Sequence, residues 1–359
     1  MSVAIDRSAA RPAREPGTPP RSLVALASAT LVAVTGFALW LLPGRIVESG
    51  APLGQAPHAR AGSPLLTTRP AADQAPRPAL SPPAPARPAG FVPFVDTVRD
   101  PLFNLTRAAR QDDLRWFTLG HLTAGQNGCT PAWGGRQERE GAPVAGRLGR
   151  LRAAGGDAGL AFGGPAGAEL ATACTDLDRL IAAYRQAMGA FGATYIDFEV
   201  SEAGDEETVL RRADAIATLQ REAVAKGRPL TVSFTLPVTR TGLSLHDQTM
   251  LRSTREAGAE ITAVNLLAPI ERTSTGQADL HSIASAVRAA QPQIARSLGE
   301  PAAWHRIALT PLLTGPWDLT EADARKLVAF TAGNELAWLS TRGATPAPGV
   351  ARILAAIPR

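Results

Sequence analysis

Cysteine is nearly absent from this chain: Cys129 and Cys174 are the only two among 359 residues. A zinc site built on thiolates needs more cysteines, or histidines at regular spacing. His58, His121, His246, His281 and His305 fall at unrelated positions, so neither a metal nor a cofactor is expected. Neither cysteine lies near the N-terminal apolar segment, which excludes a lipid-modified cysteine anchor. Lysine is almost as rare, with only Lys226 and Lys326. The formal charge of +5 is therefore carried by arginines. These are scattered rather than clustered with aromatics, so no nucleic-acid partner is expected, and the bias reflects G/C-rich coding. No G-x-G-x-x-G follows a strand-like run, which counts against a dinucleotide site.

What is present first is an uncharged apolar run, Leu23 to Leu42. Its length of about 20 residues suits a helix spanning a bilayer. Arg7, Arg11, Arg14 and Arg21 precede it. The positive-inside rule then leaves residues 1–22 as a cytoplasmic tail and sends everything after the span outside. A cleaved signal peptide is the alternative. Residues 43–90 are rich in Pro, Ala and Arg with little apolar periodicity, the composition of a disordered linker. Together these predict a single-pass cell-membrane protein with an extracytoplasmic C-terminal domain, expected to be a monomer.

The pattern changes at Phe91. Strand-like runs cover 91–96, 115–120, 158–163, 194–200, 230–236, 261–267, 306–310 and 335–340. Helical segments cover 177–190, 207–225, 244–257, 280–298 and 321–331, and a last helix covers 349–357. Eight alternating units predict an α/β fold with a parallel sheet, a (β/α)8 TIM barrel over residues 91–359. An open doubly wound sheet is the rival. Cys129 and Cys174 each sit in a connecting segment on the oxidising side of the proposed membrane. They are expected to form a disulfide, two buried free thiols being the alternative.

In such a barrel the site lies at the C-terminal ends of the strands. The first strand ends at Asp96. The second leads to His121, and the third to Gly163 and Gly164. The fourth reads Tyr195-Ile196-Asp197-Phe198-Glu199-Val200-Ser201-Glu202. Asp197 and Glu199 are two apart and share one face of a strand. Burying two ionised carboxylates on one apolar strand is costly, so such a pair points to a site. Ser201 extends the same face, while Glu202 faces the other way unless a bulge turns it inward. The sixth strand carries Asn265 and the eighth Trp338. Trp133 and Trp317 fall in strand-end loops, where they line a groove or merely pin the loop.

These segments resemble the family 18 glycoside hydrolases, the chitinase family. The fourth strand is similar to their D-x-x-D-x-D-x-E signature, with Thr194, Asp197, Glu199 and Ser201 at the four acid positions. Ala161-Phe162-Gly163-Gly164 is similar to the family's S-x-G-G. Phe91 to Asp96, Gly128-Cys129-Thr130-Pro131 and Glu169 to Thr175 resemble a bacterial chitinase-like subgroup. The resemblance spans Phe91 to about Arg342. It implies a glycan partner containing N-acetylglucosamine, such as chitin or a peptidoglycan-like polymer. It also implies Asp197, Glu199, Ser201 and Glu202 as the catalytic region, and Trp338, Asn265, Gly163, Gly164 and Asp96 as the substrate-binding set. Trp338 matches the family's sugar-stacking tryptophan, a core aromatic being the other reading. The family's acid glutamate protonates the glycosidic oxygen, and the preceding aspartate orients the substrate acetamide that attacks the anomeric carbon. Here Ser201 stands at the acid position, and a hydroxyl proton is far too weakly acidic for that role. Ile270 and Glu271 replace an Asp-Tyr pair that often binds the acetamide. Three functions stay open: an impaired or purely glycan-binding domain, an active glycosidase using Glu202, and a structural wall protein.

Overall fold

The computed structural model describes residues 87–136, 144–200, 204–301 and 304–358. The expected span Leu23–Leu42, nearly all of the linker, and both Ser201 and Glu202 lie outside them. Among the described residues no helix is long and apolar enough to cross a membrane.

The strands are β1 (Phe94–Asp96), β2 (Trp116–Ala124), β3 (Pro131–Trp133), β4 (Asp157–Gly163), β5 (Tyr195–Glu199), β6 (Thr231–Pro237), β7 (Ala263–Pro269), β8 (Ile307–Leu313), β9 (Trp338–Leu339) and β10 (Arg342–Gly343). The helices are α1 (Leu105–Asp112), α2 (Val144–Ala153), α3 (Leu170–Ala173), α4 (Leu177–Phe191), α5 (Glu206–Ala225), α6 (Leu245–Glu256), α7 (Leu280–Leu298), α8 (Glu321–Gly333) and α9 (Pro348–Ala355). Strands β1, β2, β4, β5, β6, β7 and β8 pair in that order, all parallel, and β9 and β10 both pair with β8. Strand β3 is a short antiparallel return on β2. The sheet curls until its ends meet at a bridge between Phe91 and Leu339, with Val92 N–H donating to the Leu339 carbonyl at 2.8 Å. This is a TIM-barrel-like fold.

Three differences from the sequence pattern have local causes. The expected last strand over 335–340 shrinks to β9 at 338–339, and a second short piece, β10, follows it at 342–343. Glu335 has φ 54°, and Leu336 N–H donates back to Thr331, so both belong to the C-terminal turn of α8. Helices α1 and α2 do not stand out in the sequence, because α1 buries only Leu105 and Ala109, and glycines interrupt α2. The third is β3, a three-residue hairpin return too short to show alternation.

Alternation along β5 places the two acids. Ile196, Phe198 and Val200 point outward into the layer between strands and helices. There Phe198 stacks between Phe162 and Phe234, at centroid distances of 5.8 and 5.4 Å. Tyr195, Asp197 and Glu199 therefore point into the barrel. At the barrel floor Tyr195 packs with Val92, Trp116, Ala263, Ala308 and Trp338.

The loop after β4 is held at two points. Cys129, in the β2–β3 turn, is disulfide-bonded to Cys174, just past α3 and 45 positions away. Chain-entropy models assign such a closure roughly 4 kcal/mol. Glu169 reaches the fully buried Arg212 of α5 at 2.6 Å. Gly163 pairs with Glu199 in the ladder, and Gly164 N–H donates to the Glu199 carbonyl at 2.9 Å, which fixes both glycines relative to β5.

Candidate functional site at the barrel mouth

Two polar layers stand above the apolar floor. In the lower layer Asp197 is the common acceptor. Its Oδ1 accepts a short hydrogen bond from Ser233, and its Oδ2 accepts from Thr235 Oγ1 at 2.7 Å. Thr235 Oγ1 accepts in turn from Asn265 Nδ2 at 2.9 Å, and Asn265 Oδ1 accepts from Thr310 at 2.7 Å. Tyr195 lies 3.0 Å from Ser233 Oγ. Burial pushes the Tyr195 phenol up, so it stays protonated and donates. Each donor across β5 to β8 thus points toward one carboxylate. Burial raises the Asp197 pKa to about 6, and the Ser233 and Thr235 hydrogen bonds together with the Arg342 charge hold it from rising further.

The upper layer is built on Arg342. Its guanidinium pairs with the Glu199 carboxylate. A second N–H, on Nη1, lies 2.7 Å from His121 Nε2. Its Cζ sits 3.5 Å over the ring centroid of Phe94. One side chain from β10 therefore touches β1, β2 and β5. His121 Nε2 also lies 3.0 Å from Glu199 Oε2. That nitrogen can accept from Arg342 or donate to Glu199, not both. Burial and the adjacent Arg342 charge lower the His121 pKa to about 3, against a smaller opposing pull from Asp96. A guanidinium can only donate, so the 2.7 Å contact with Arg342 makes Nε2 of the neutral ring the acceptor and leaves the proton on Nδ1, 4.0 Å from Asp96 Oδ2 and outside hydrogen-bond reach of it. Arg342 itself is lowered by burial only to about 10, so it remains a cation.

The strand-end glycines let these groups approach. Gly164 has φ 80°, and a Cβ there would lie 2.2 Å from His121 Cδ2. A Cβ on Gly163 would meet the Glu199 carbonyl at 2.4 Å. Asp96 is a turn-former as well as a charge, its Oδ1 accepting from Val98 N–H and Arg99 N–H, both at 3.0 Å.

The sequence-derived residues divide by layer. Asp96, His121 and Glu199 meet at the mouth with Arg342. Asp197 and Asn265 lie beneath, with all their described polar contacts inside the hydrogen-bond chain. Trp338 is elsewhere: it is 3% exposed and packs edge-on against Tyr195 at 5.9 Å in the floor. Tyr195 and Glu199 are four residues apart, about 13 Å on a strand. The indole therefore lies two layers below the mouth. Trp133 is also buried, pinned on Phe191 at 5.4 Å. Arg342 was missed by sequence reasoning, being one arginine among many, just past the expected last strand. Among the described residues no group of three His, Cys, Asp or Glu side chains could hold a metal.

The mouth opens into a cavity of about 1110 Å³. Asp96, His121, Glu199 and Arg342 line its inner end. No ladder pairs β1 with β10 above the Phe91 bridge, so the cavity continues through that seam toward α1 and α9. A general acid must hold a proton near the working pH and reach the scissile oxygen. Glu199 is engaged by Arg342, and Asp197 is covered with both oxygens accepting. Of the acids on β5, neither is thus free to act within this shaped, charged recess.

The His121 environment generates a pH effect. Its folded pKa is depressed, so the unfolded chain binds a proton first as pH falls below about 6.5. Stability is full above that value and is lost from there down to about 3. Asp197, with a raised pKa, opposes this between about 6 and 4. Denaturant unfolding at pH 7 and pH 5 should show the native protein losing roughly 2 kcal/mol more than His121→Gln over that interval. Equal losses would mean that His121 is protonated in the folded protein.

No family model matches the chain. Over 180 residues it is 27% identical to a probable bifunctional chitinase/lysozyme of Escherichia coli, covering 49% of this chain and 20% of that protein. Over 181 residues it is 25% identical to endochitinase 11 of Metarhizium anisopliae, covering 49% of this chain and 34% of that one. The matches thus span about a fifth and a third of these relatives' lengths. The catalytic domain of a hyperthermophilic chitinase from Pyrococcus furiosus superposes with a TM-score of 0.64 at 23% identity, over 76% of this chain and 95% of that domain. The barrel beginning at Phe91 is a family 18 glycoside hydrolase-like domain.

Proposed function

We propose that the domain binds an N-acetylglucosamine-containing glycan at the barrel mouth and hydrolyses it slowly or not at all. The observation that carries this reading is the engagement of Glu199 by Arg342 at the head of the cavity. The primary structure supports it independently, with Ser201 where the family signature has its acid and Ile270 where an acetamide contact is usual. The relatives named above are described as chitinases, and the cavity volume of about 1110 Å³ suits a saccharide of several units. The recess also keeps what recognition needs, namely charged groups on rigid strands and a protected floor.

Release of a fluorophore from a chitobiose glycoside tests the catalytic half. Losing a general acid alone removes on the order of a hundred- to ten-thousand-fold in rate. Turnover by the native protein is therefore expected at or near background. Robust turnover that disappears in Glu202→Gln would contradict the reading and make Glu202 the acid.

We further propose that residues 23–42 anchor the domain outside the cytoplasm. The uncharged run, the four preceding arginines and the joined Cys129–Cys174 pair all support this, since disulfides persist in oxidising compartments. A reporter that works only outside the cytoplasm, fused after Arg359, should be active. Activity from a cytoplasm-only reporter at the same position would refute the anchor.

A further inference from the structure

Among the described residues one tryptophan is out of place for a core aromatic. Trp317 is 77% exposed, whereas Trp116, Trp133 and Trp338 are all buried. It lies in the loop between β8 and α8, at the same end of the barrel as Glu199 and His121.

The loop is rigid without any help from the indole. Asp318 Oδ2 accepts from Thr314 N–H at 2.6 Å, Thr314 Oγ1 at 2.8 Å and Gly315 N–H at 2.9 Å. Its other oxygen pairs with Arg272 from the loop after β7. Ala347 N–H donates to the Pro316 carbonyl at 3.0 Å. The neighbours of Ala347, Pro346 and Pro348, line the mouth cavity. Trp317 thus lies outside the cavity lining itself, on a braced turn tied through Pro316 to the lining segment 346–348, and the hydrogen bonds of that turn need no tryptophan. On another wall of the cavity Leu102, in the loop after β1, is 84% exposed.

We propose that Trp317 is a stacking platform for a pyranose ring of a glycan that extends beyond the barrel mouth. This rests on the glycan reading above and adds an outer contact to it. The axial C–H face of a β-linked sugar is flat and apolar, with hydroxyls only at its edge. A rigid indole matches that face at little cost in side-chain entropy, and its N–H remains available at the ring edge. Size argues against a protein partner. A stable interface buries upward of about 1,000 Å², whereas one tryptophan offers roughly 150 to 250 Å². The other large exposed apolar side chains away from the mouth are dispersed over α5 and α6, at Leu210, Val224 and Leu245.

The test is titration calorimetry with the N-acetylglucosamine dimer and hexamer on the native protein and on Trp317→Ala. The hexamer should bind the variant about tenfold more weakly, the dimer equally to both, and Trp317→Phe should recover part of the loss. Because the side chain is exposed, the variant should unfold at the native temperature. As a check that needs no variant, hexamer should protect native tryptophan fluorescence from iodide quenching. Equal hexamer affinities for the native protein and Trp317→Ala overturn the proposal while leaving mouth binding intact. Native protein that binds neither oligomer overturns the glycan reading and this inference with it. Concentration-dependent dimerisation that is lost in Trp317→Ala would assign the residue to a protein contact and also overturn it.

Discussion

The Arg342 guanidinium is the interaction on which the mouth of this barrel depends. Above the Phe91 bridge β1 and β10 share no ladder, so the sheet is not closed there by backbone hydrogen bonds. Arg342 spans the seam with its side chain. It stacks on Phe94, donates to His121 and neutralises Glu199. Removing one partner of such a buried pair typically costs about 3–5 kcal/mol, because the other charge is left uncompensated. The same contact does two jobs. It stabilises the open edge of the barrel, and it occupies the inward-facing β5 carboxylate that lines the cavity.

That double role underlies the proposed loss of chemistry in a chitinase-like frame that keeps its shape. The polar chain from Thr310 through Asn265 and Thr235 to Asp197 is complete, and it holds a carboxylate whose pKa is about 6. Such a chain rigidifies the strands whether or not the group reacts. Above it, His121 is kept neutral by burial and by Arg342. Below it, Trp338 is sealed in the floor against Tyr195. A sugar entering the cavity meets Arg342, Glu199, His121 and Asp96 before it can meet the indole. In the proposed glycan reading, recognition therefore falls to the charged rim and to the loops beyond it, rather than to the floor.

Much of this was legible in the primary structure, and what was not has a physical reason. The strand period alone puts Asp197 and Glu199 on one face, and both point inward. Helix caps at Asp205, Ser244, Asp279 and Thr320 begin helices near where periodicity places them. Residue type, however, does not report depth. Trp338 sits on a barrel strand, as its resemblance implied, yet it is buried in the floor layer against Tyr195. Arg342 was invisible because its partner His121 is 221 positions away and a lone arginine after a broken last strand has no local signature. Only the curl of the sheet brings the two together.

The state of His121 reports most directly on whether Arg342 holds the mouth. Nitrogen-15 NMR of histidine-labelled protein reads its tautomer and charge directly. The structure predicts a neutral ring at pH 5, with Nδ1 protonated and Nε2 bare as the acceptor of the Arg342 hydrogen bond. A ring that titrates near pH 6.5, or that carries its proton on Nε2, would show that Arg342 does not hold the mouth in this arrangement.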